Sequence, residues 1–156
     1  MGFFSSKKTK SSKKQKVMPK NADGSIAVET TKIMEITIVS VNNITRETDV
    51  VGKIDPYVIF YGNGQILGKT KPVDNATSCV LNELFTIKPK GAPRSIQFKF
   101  DLMDKDDIGD DDEVGSGTFN PAAEDSLNNQ TVHLKWKGKD IGSLTIDIRI
   151  KDILVV

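Results

Sequence analysis

The sequence predicts an all-β fold, an antiparallel β-sandwich of eight short strands. Three observations carry that prediction. Apolar and polar residues alternate over short runs, as in Ile96, Phe98, Phe100 and Leu102, and again in Leu144, Ile146, Ile148 and Ile150; that period belongs to half-buried strands. The runs are separated by Gly, Pro, Asn and Asp signals such as Gly62-Asn63-Gly64, which turn a chain rather than extend it. A length of 156 residues suffices for one domain with a proper core and is short for two.

The elements follow in order. Residues 1–24 are rich in Lys and Ser, with few apolar residues, so they are predicted to be a flexible arm that cannot offset the entropy of ordering. The sandwich domain is placed at 25–156. Met34, Ile36 and Ile38 alternate before Val39–Val41 leads into a polar loop. Asp55-Pro56 opens a β-branched and aromatic run, Tyr57–Tyr61, which Gly62-Asn63-Gly64 turns back into Gln65–Lys71. Further strands are expected at Asn82–Ile87, Ile96–Leu102, Glu113–Phe119, Thr131–Trp136 and Ser143–Ile150. Pro121–Asn128 has room for a short helical turn, with Ala122, Ala123 and Leu127 packing down. Alternation stops before Asp104, which places Asp104 through Asp112 in a loop.

No window approaches eighteen apolar residues, and the start, Met1-Gly2-Phe3-Phe4, runs straight into lysines. Neither a membrane span nor a secretory signal is expected. The single cysteine, Cys79, has no internal disulfide partner and fits a reducing, cytoplasmic home.

A net charge of +1 hides a strong asymmetry. Residues 1–20 carry seven lysines and no acid, which leaves the remainder at −6. Within it, residues 101–113 hold eight acids against the single base Lys105. One end is built to meet anions, and one internal loop to meet something strongly cationic.

Five aspartates stand out in that pattern. Asp49 and Asp55 bracket Asp-Val-Val-Gly-Lys-Ile-Asp-Pro-Tyr, and Asp104, Asp106 and Asp112 punctuate Asp-Lys-Asp-Asp-Ile-Gly-Asp-Asp-Asp-Glu-Val-Gly. Acids this close repel unless a cation joins them or all face water. Calcium takes six to eight oxygen ligands in flexible geometry. Zinc and copper are poor alternatives when the only His and Cys are His133 and Cys79. An EF-hand started at Asp104 gains Asp106 and Gly109, but puts Ile108 at its fifth position and Gly115 where a closing acid belongs, so that motif fails.

The chain resembles the C2 domain family, the calcium-dependent phospholipid-binding β-sandwich of protein kinases C, phospholipases and synaptotagmins. The resemblance runs in order through Asp49-x-x-Gly52-x-x-Asp55-Pro56-Tyr57-Val58, Asn82-Glu83-Leu84-Phe85, Asp104-x-Asp106, Asp111-Asp112-Glu113-Val114-Gly115 and Gly142-Ser143-Leu144-x-Ile146, covering about Lys32–Lys151. It implies five calcium ligands, Asp49, Asp55, Asp104, Asp106 and Asp112, and two or three bridged ions. It also implies an anionic phospholipid membrane as the partner, with a protein partner as a further possibility. Val50, Val51 and Ile108 resemble the family residues that dip into the bilayer; partial packing beneath the loops is the other reading. The family's Asn-Pro-Val-Trp is replaced by Ser78-Cys79-Val80-Leu81, and the basic groove of some members is reduced to Lys69 and Lys71 followed by Asp74. Counting strands from Lys32 favours the non-permuted topology, in which the first strand leads directly into the first calcium loop. A strand at Ile26–Thr31 would signal the permuted form.

In the arm, Met1-Gly2-x-x-x-Ser6 satisfies the simple myristoylation pattern, although the bulky Phe3 is disfavoured beside the acceptor Gly2. Seven lysines make the arm a candidate secondary membrane anchor; a solubilising tail is the plainer alternative. An enzyme is not expected, because the lone His133 has no catalytic companion and the acids cluster on a rim rather than in a cleft. Nucleic acid is not an expected partner either, since the arm lacks arginine and aromatic interleaving and the body is acidic.

Overall fold

A computed structural model describes residues 20–48, 52–121 and 125–155. Its eight strands are β1 (Thr30–Asn42), β2 (Pro56–Gly62), β3 (Gln65–Lys69), β4 (Cys79–Ile87), β5 (Phe98–Asp104), β6 (Asp112–Phe119), β7 (Ser126–Trp136) and β8 (Lys139–Leu154), with a 3₁₀ turn at Pro93–Ser95. All pairings are antiparallel and the order is β3-β2-β5-β6-β7-β8-β1-β4. The ladder shrinks to one pair between β6 and β7, Ser116 opposite Lys135. There the sheet folds over, so that β3-β2-β5-β6 faces β7-β8-β1-β4 across one core.

The alternating residues build that core. Ile36, Ile38, Val58, Phe60, Phe100, Leu102, Leu144 and Ile146 are all fully buried. Phe60 meets Phe85 edge-on at 5.0 Å between ring centroids and stacks with Phe100 at 5.9 Å, arrangements that add to simple burial. Gly68 lets β3 lie over this aromatic cluster: a Cβ there would sit 2.5 Å from the Phe60 ring and 2.7 Å from Phe85.

Several boundaries differ from the sequence reading. β1 starts at Thr30 rather than Lys32, because β8 pairs with it as far as Thr30–Leu154, a long-range ladder that local alternation does not reveal. β5 starts at Phe98; Ile96 is buried but closes the 3₁₀ turn through its N–H to Pro93 O. At its other end β5 keeps Asp104, paired with Pro56 and Asp112. β3 stops at Lys69, and Thr70 is then held by Val58, whose N–H donates to Thr70 Oγ1 at 2.8 Å. In the expected helical turn, Ser126–Asn128 instead belongs to β7, while 122–124 lie outside the described residues. Leu127 does pack down, but from a strand. Among the described residues, no helix is long and apolar enough to cross a membrane.

Candidate functional site: the acidic loop end

β1 runs directly into residues 43–48, and the same end of the sandwich carries residues 52–55 before β2, 70–78 between β3 and β4 and 105–111 between β5 and β6. The centre of this end is Asp104, only 1% exposed. A buried carboxylate needs donors, and Asp104 has them: the Asp55 N–H donates to its Oδ1 at 2.7 Å, and the Thr48 hydroxyl donates to its Oδ2. In return the Lys105 N–H donates to Asp55 O at 3.0 Å. One acid thus ties the first acidic loop to the second.

Register then places Asp112 directly opposite Asp104. Directly opposed residues share a face, so an exposed carboxylate stands beside a buried one. Asp111, one residue back, takes the other face. Its Oδ2 accepts from the Tyr57 hydroxyl, its Oδ1 accepts from the Asp106 N–H at 3.0 Å, and Lys105 Nζ lies 3.6 Å away. The Tyr57 hydrogen bond, then the Asp106 N–H, holds the Asp111 carboxyl below its ordinary range. Burial first, and the Asp111 carboxylate second, push the Tyr57 hydroxyl up.

The segment 70–78 contributes a brace that sequence reasoning missed. Asn75, in the left-handed region at φ 53°, accepts from the Lys53 N–H at 2.9 Å through Oδ1, and its own N–H donates to Asp55 Oδ1 at 2.7 Å. The Ala76 N–H donates to Ile54 O at 2.9 Å. Only the Asn at a turn hints at this in the sequence. Arg46 was equally invisible: its guanidinium stacks 3.8 Å from the Trp136 ring centroid and donates to Glu113 O at 2.8 Å.

Of the five expected ligands, Asp55, Asp104, Asp106 and Asp112 therefore lie at this end, while Asp49 lies outside the described residues, as do Val50 and Val51. Ile108, between Asp106 and Asp112, is 93% exposed. The donors present are hard oxygens, and like charges are held opposite one another, which suits a calcium ion. Nonetheless, among the described residues no three His, Cys, Asp or Glu side chains are grouped as a metal site. The oxygens of Asp55 and Asp104 serve protein donors instead.

The sequence model of the C2 domain matches residues 32–138. The chain belongs to the C2 domain family. A sequence relative, Tricalbin-2 of Saccharomyces cerevisiae, is 28% identical over 121 residues, covering 75% of this chain and 10% of its own length. An uncharacterized protein of Schizosaccharomyces pombe is 28% identical over 107 residues, covering 66% of this chain and 9% of its own length. The chain thus spans about a tenth of the curated relatives it matches. Among solved structures, a C2 domain of plant Extended Synaptotagmin 1 superposes with TM-score 0.66 at 19% identity, over 80% of this chain and 98% of that one. The calcium-bound pair of C2 domains from Extended-Synaptotagmin 2 gives 0.64 at 19% identity, over 80% and 47%. These likenesses establish the C2 fold, and membership of the family supports membrane or lipid binding as the broad role.

Proposed function

We propose that this C2 domain binds anionic phospholipid membranes in response to calcium, without catalysis. The observation that carries the proposal is the opposition of Asp104 and Asp112 across β5 and β6. A sheet register that sets two carboxylates side by side costs stability and gains a purpose when a cation joins them. Asp49, Asp55, Asp104, Asp106 and Asp112 would hold two or three calcium ions. Bound calcium would neutralise the rim, so that anionic headgroups can approach.

The chain's own residues prepare that rim. Asn75 holds the Lys53 amide and the Asp55 side chain, Asp104 fixes the Asp55 amide, and Tyr57 draws Asp111 to the outer face. That leaves Asp112 on the face of Asp104. Ile108 stands ready to enter the acyl region. The lysine arm of residues 1–20 adds electrostatic attachment, and the chain works in the cytoplasm at a membrane surface. His133 is an exposed strand residue opposite Ser143.

Co-sedimentation with phosphatidylserine vesicles tests the reading. Wild type should pellet with calcium and lose that response in Asp104→Asn with Asp112→Asn; equal pelleting of both would refute it. A second reading, a calcium-independent protein-interaction scaffold, is favoured by the carboxylates being turned to protein donors rather than to one another. It predicts no calcium response in either chain.

A further inference from the structure

We infer that Arg46 and the turn between β7 and β8 form a binding site for a phosphate monoester, built around Trp136 and needing no calcium. The Arg46 guanidinium lies 3.8 Å from the Trp136 ring centroid, and Lys137 Nζ lies 5.7 Å from it. Lys139 stands directly opposite Trp136, so its side chain shares that face. Three cations thus converge on one indole. Among the described residues, none of the three takes part in a salt bridge.

Arg46 is a fixed cation. The Thr45 N–H before it donates to Ile141 O at 2.9 Å, and Arg46 Nη1 donates to Glu113 O at 2.8 Å and Val114 O at 3.3 Å. Those bonds use one nitrogen. Nε and Nη2 have no acceptor among the described residues, and their coplanar N–H groups match two oxygens of a phosphate. Lys137 gives an independent sign. With Gly138 it makes the two-residue turn between Trp136 and Lys139, at φ 49° and 78°. Those left-handed positions favour Asn-Gly, and a lysine in the first of them is strained. The fold alone would be better served by Asn; what Asn lacks is the ammonium group.

The neighbouring acids are placed elsewhere. Asp140 stands opposite Lys135, Glu113 opposite Met103 on the outer face of β5 and β6, and Asp112 opposite Asp104 in the acidic loops. Glu47, exposed and next to Arg46 in sequence, is the acid that remains beside the three cations, so two positive charges are left over. A phosphate monoester carries about −1.5 to −2 charges at pH 7, a match that a carboxylate or a phosphodiester, each with one charge, does not give. Such an ester can come from a lipid headgroup ending in phosphate or from a free phosphorylated molecule.

Trp136 is the only tryptophan of the chain, so its fluorescence reads this site directly. In EGTA the full chain is titrated with glycerol phosphate, and with vesicles of phosphatidic acid, a monoester, or of phosphatidylserine, a diester, matched in surface charge. Emission should change saturably with a monoester. The double variant Lys137→Asn with Lys139→Gln should bind it about tenfold more weakly, while its Tm equals or exceeds that of wild type because Asn suits the turn. A response to phosphatidic acid vesicles that glycerol phosphate competes away assigns the site to a lipid headgroup; a response to the soluble ester alone assigns it to a free phosphate. Unchanged emission with both monoesters, equal affinity in the two chains, or a change on phosphatidylserine as large as on phosphatidic acid would overturn the inference. In calcium the affinity should rise further, an effect that rests on the proposed loops: its absence would count against them and leave this site standing.

Discussion

Replacing Asp112 by Asn should stabilise the domain without calcium and weaken it with calcium. The perturbation removes one member of the directly opposed pair Asp104–Asp112 and leaves its shape. Like charges directly opposite destabilise by roughly 0.2–1 kcal/mol, and Asp112 is exposed, so little hydrogen bonding is lost with the charge. A gain near 0.5 kcal/mol corresponds to about 2 °C in Tm for a domain of this size. On the proposed calcium binding, calcium at a hundred times its dissociation constant should stabilise wild type by about 2.7 kcal/mol, and the variant should lose most of that. Asp104→Asn supplies the contrasting sign. It weakens the acceptor for the Asp55 N–H and the Thr48 hydroxyl at a position 1% exposed, so it should cost about 1–2 kcal/mol without calcium. The assay is thermal unfolding in low-salt EGTA and in millimolar calcium. A lower Tm for Asp112→Asn in EGTA, or an undiminished calcium shift, would refute the electrostatic argument.

Further outcomes can be checked separately. Asn75→Ala should cost about 1–2 kcal/mol in urea unfolding, because the Lys53 N–H loses its acceptor and a left-handed residue gains strain; Asn75→Gly should recover the strain part. Gly68→Ala should cost about 1–3 kcal/mol, since its Cβ meets two rings at 2.5 and 2.7 Å. Tyr57→Phe should flatten the pH profile at both ends. The Asp111 contribution is present above the ordinary carboxyl value of 3.8 and fades as pH falls through its lowered folded value, while the Tyr57 contribution is full below the ordinary phenol value of 10.0 and fades as pH rises through its raised value. An unchanged acid unfolding midpoint in Tyr57→Phe would count against that hydrogen bond, and an unchanged alkaline midpoint would count against the burial of the phenol. Ile108→Asp should leave Tm unchanged at a site 93% exposed and reduce calcium-dependent vesicle binding several-fold; equal binding would exclude Ile108 from the membrane contact.

The strands were legible where one face is buried and the other wet, because alternation then records the core directly: Phe98, Phe100 and Leu102 are buried as their spacing implies. Legibility failed where pairing is decided at long range. Thr30 and Thr31 enter β1 because β8 reaches them, and Ser126–Asn128 enters β7 because Arg149 and Ile148 lie opposite Ser126 and Leu127. At the acidic end, spacing located the carboxylates, since clustered charge is visible in any linear reading. It could not find Thr48, Asn75 or Arg46, which act through hydrogen bonds and a ring contact to residues distant in sequence. Nor could it separate Asp111 from Asp112, because that distinction depends on which face the register assigns.

The seam between β6 and β7 has a mechanical meaning. Gly115 and Gly117 press β6 so closely against the other layer that a Cβ on either would meet Lys135 O at 3.1 Å or His133 O at 2.4 Å, yet only Ser116 and Lys135 pair there. β5 and β8, by contrast, are each laddered on both sides. Thermal breathing should therefore open the sandwich along β6–β7 as two hinged leaves. Amide exchange will be fastest across that line, and a protease or a swapped strand from a second copy will find its first purchase there.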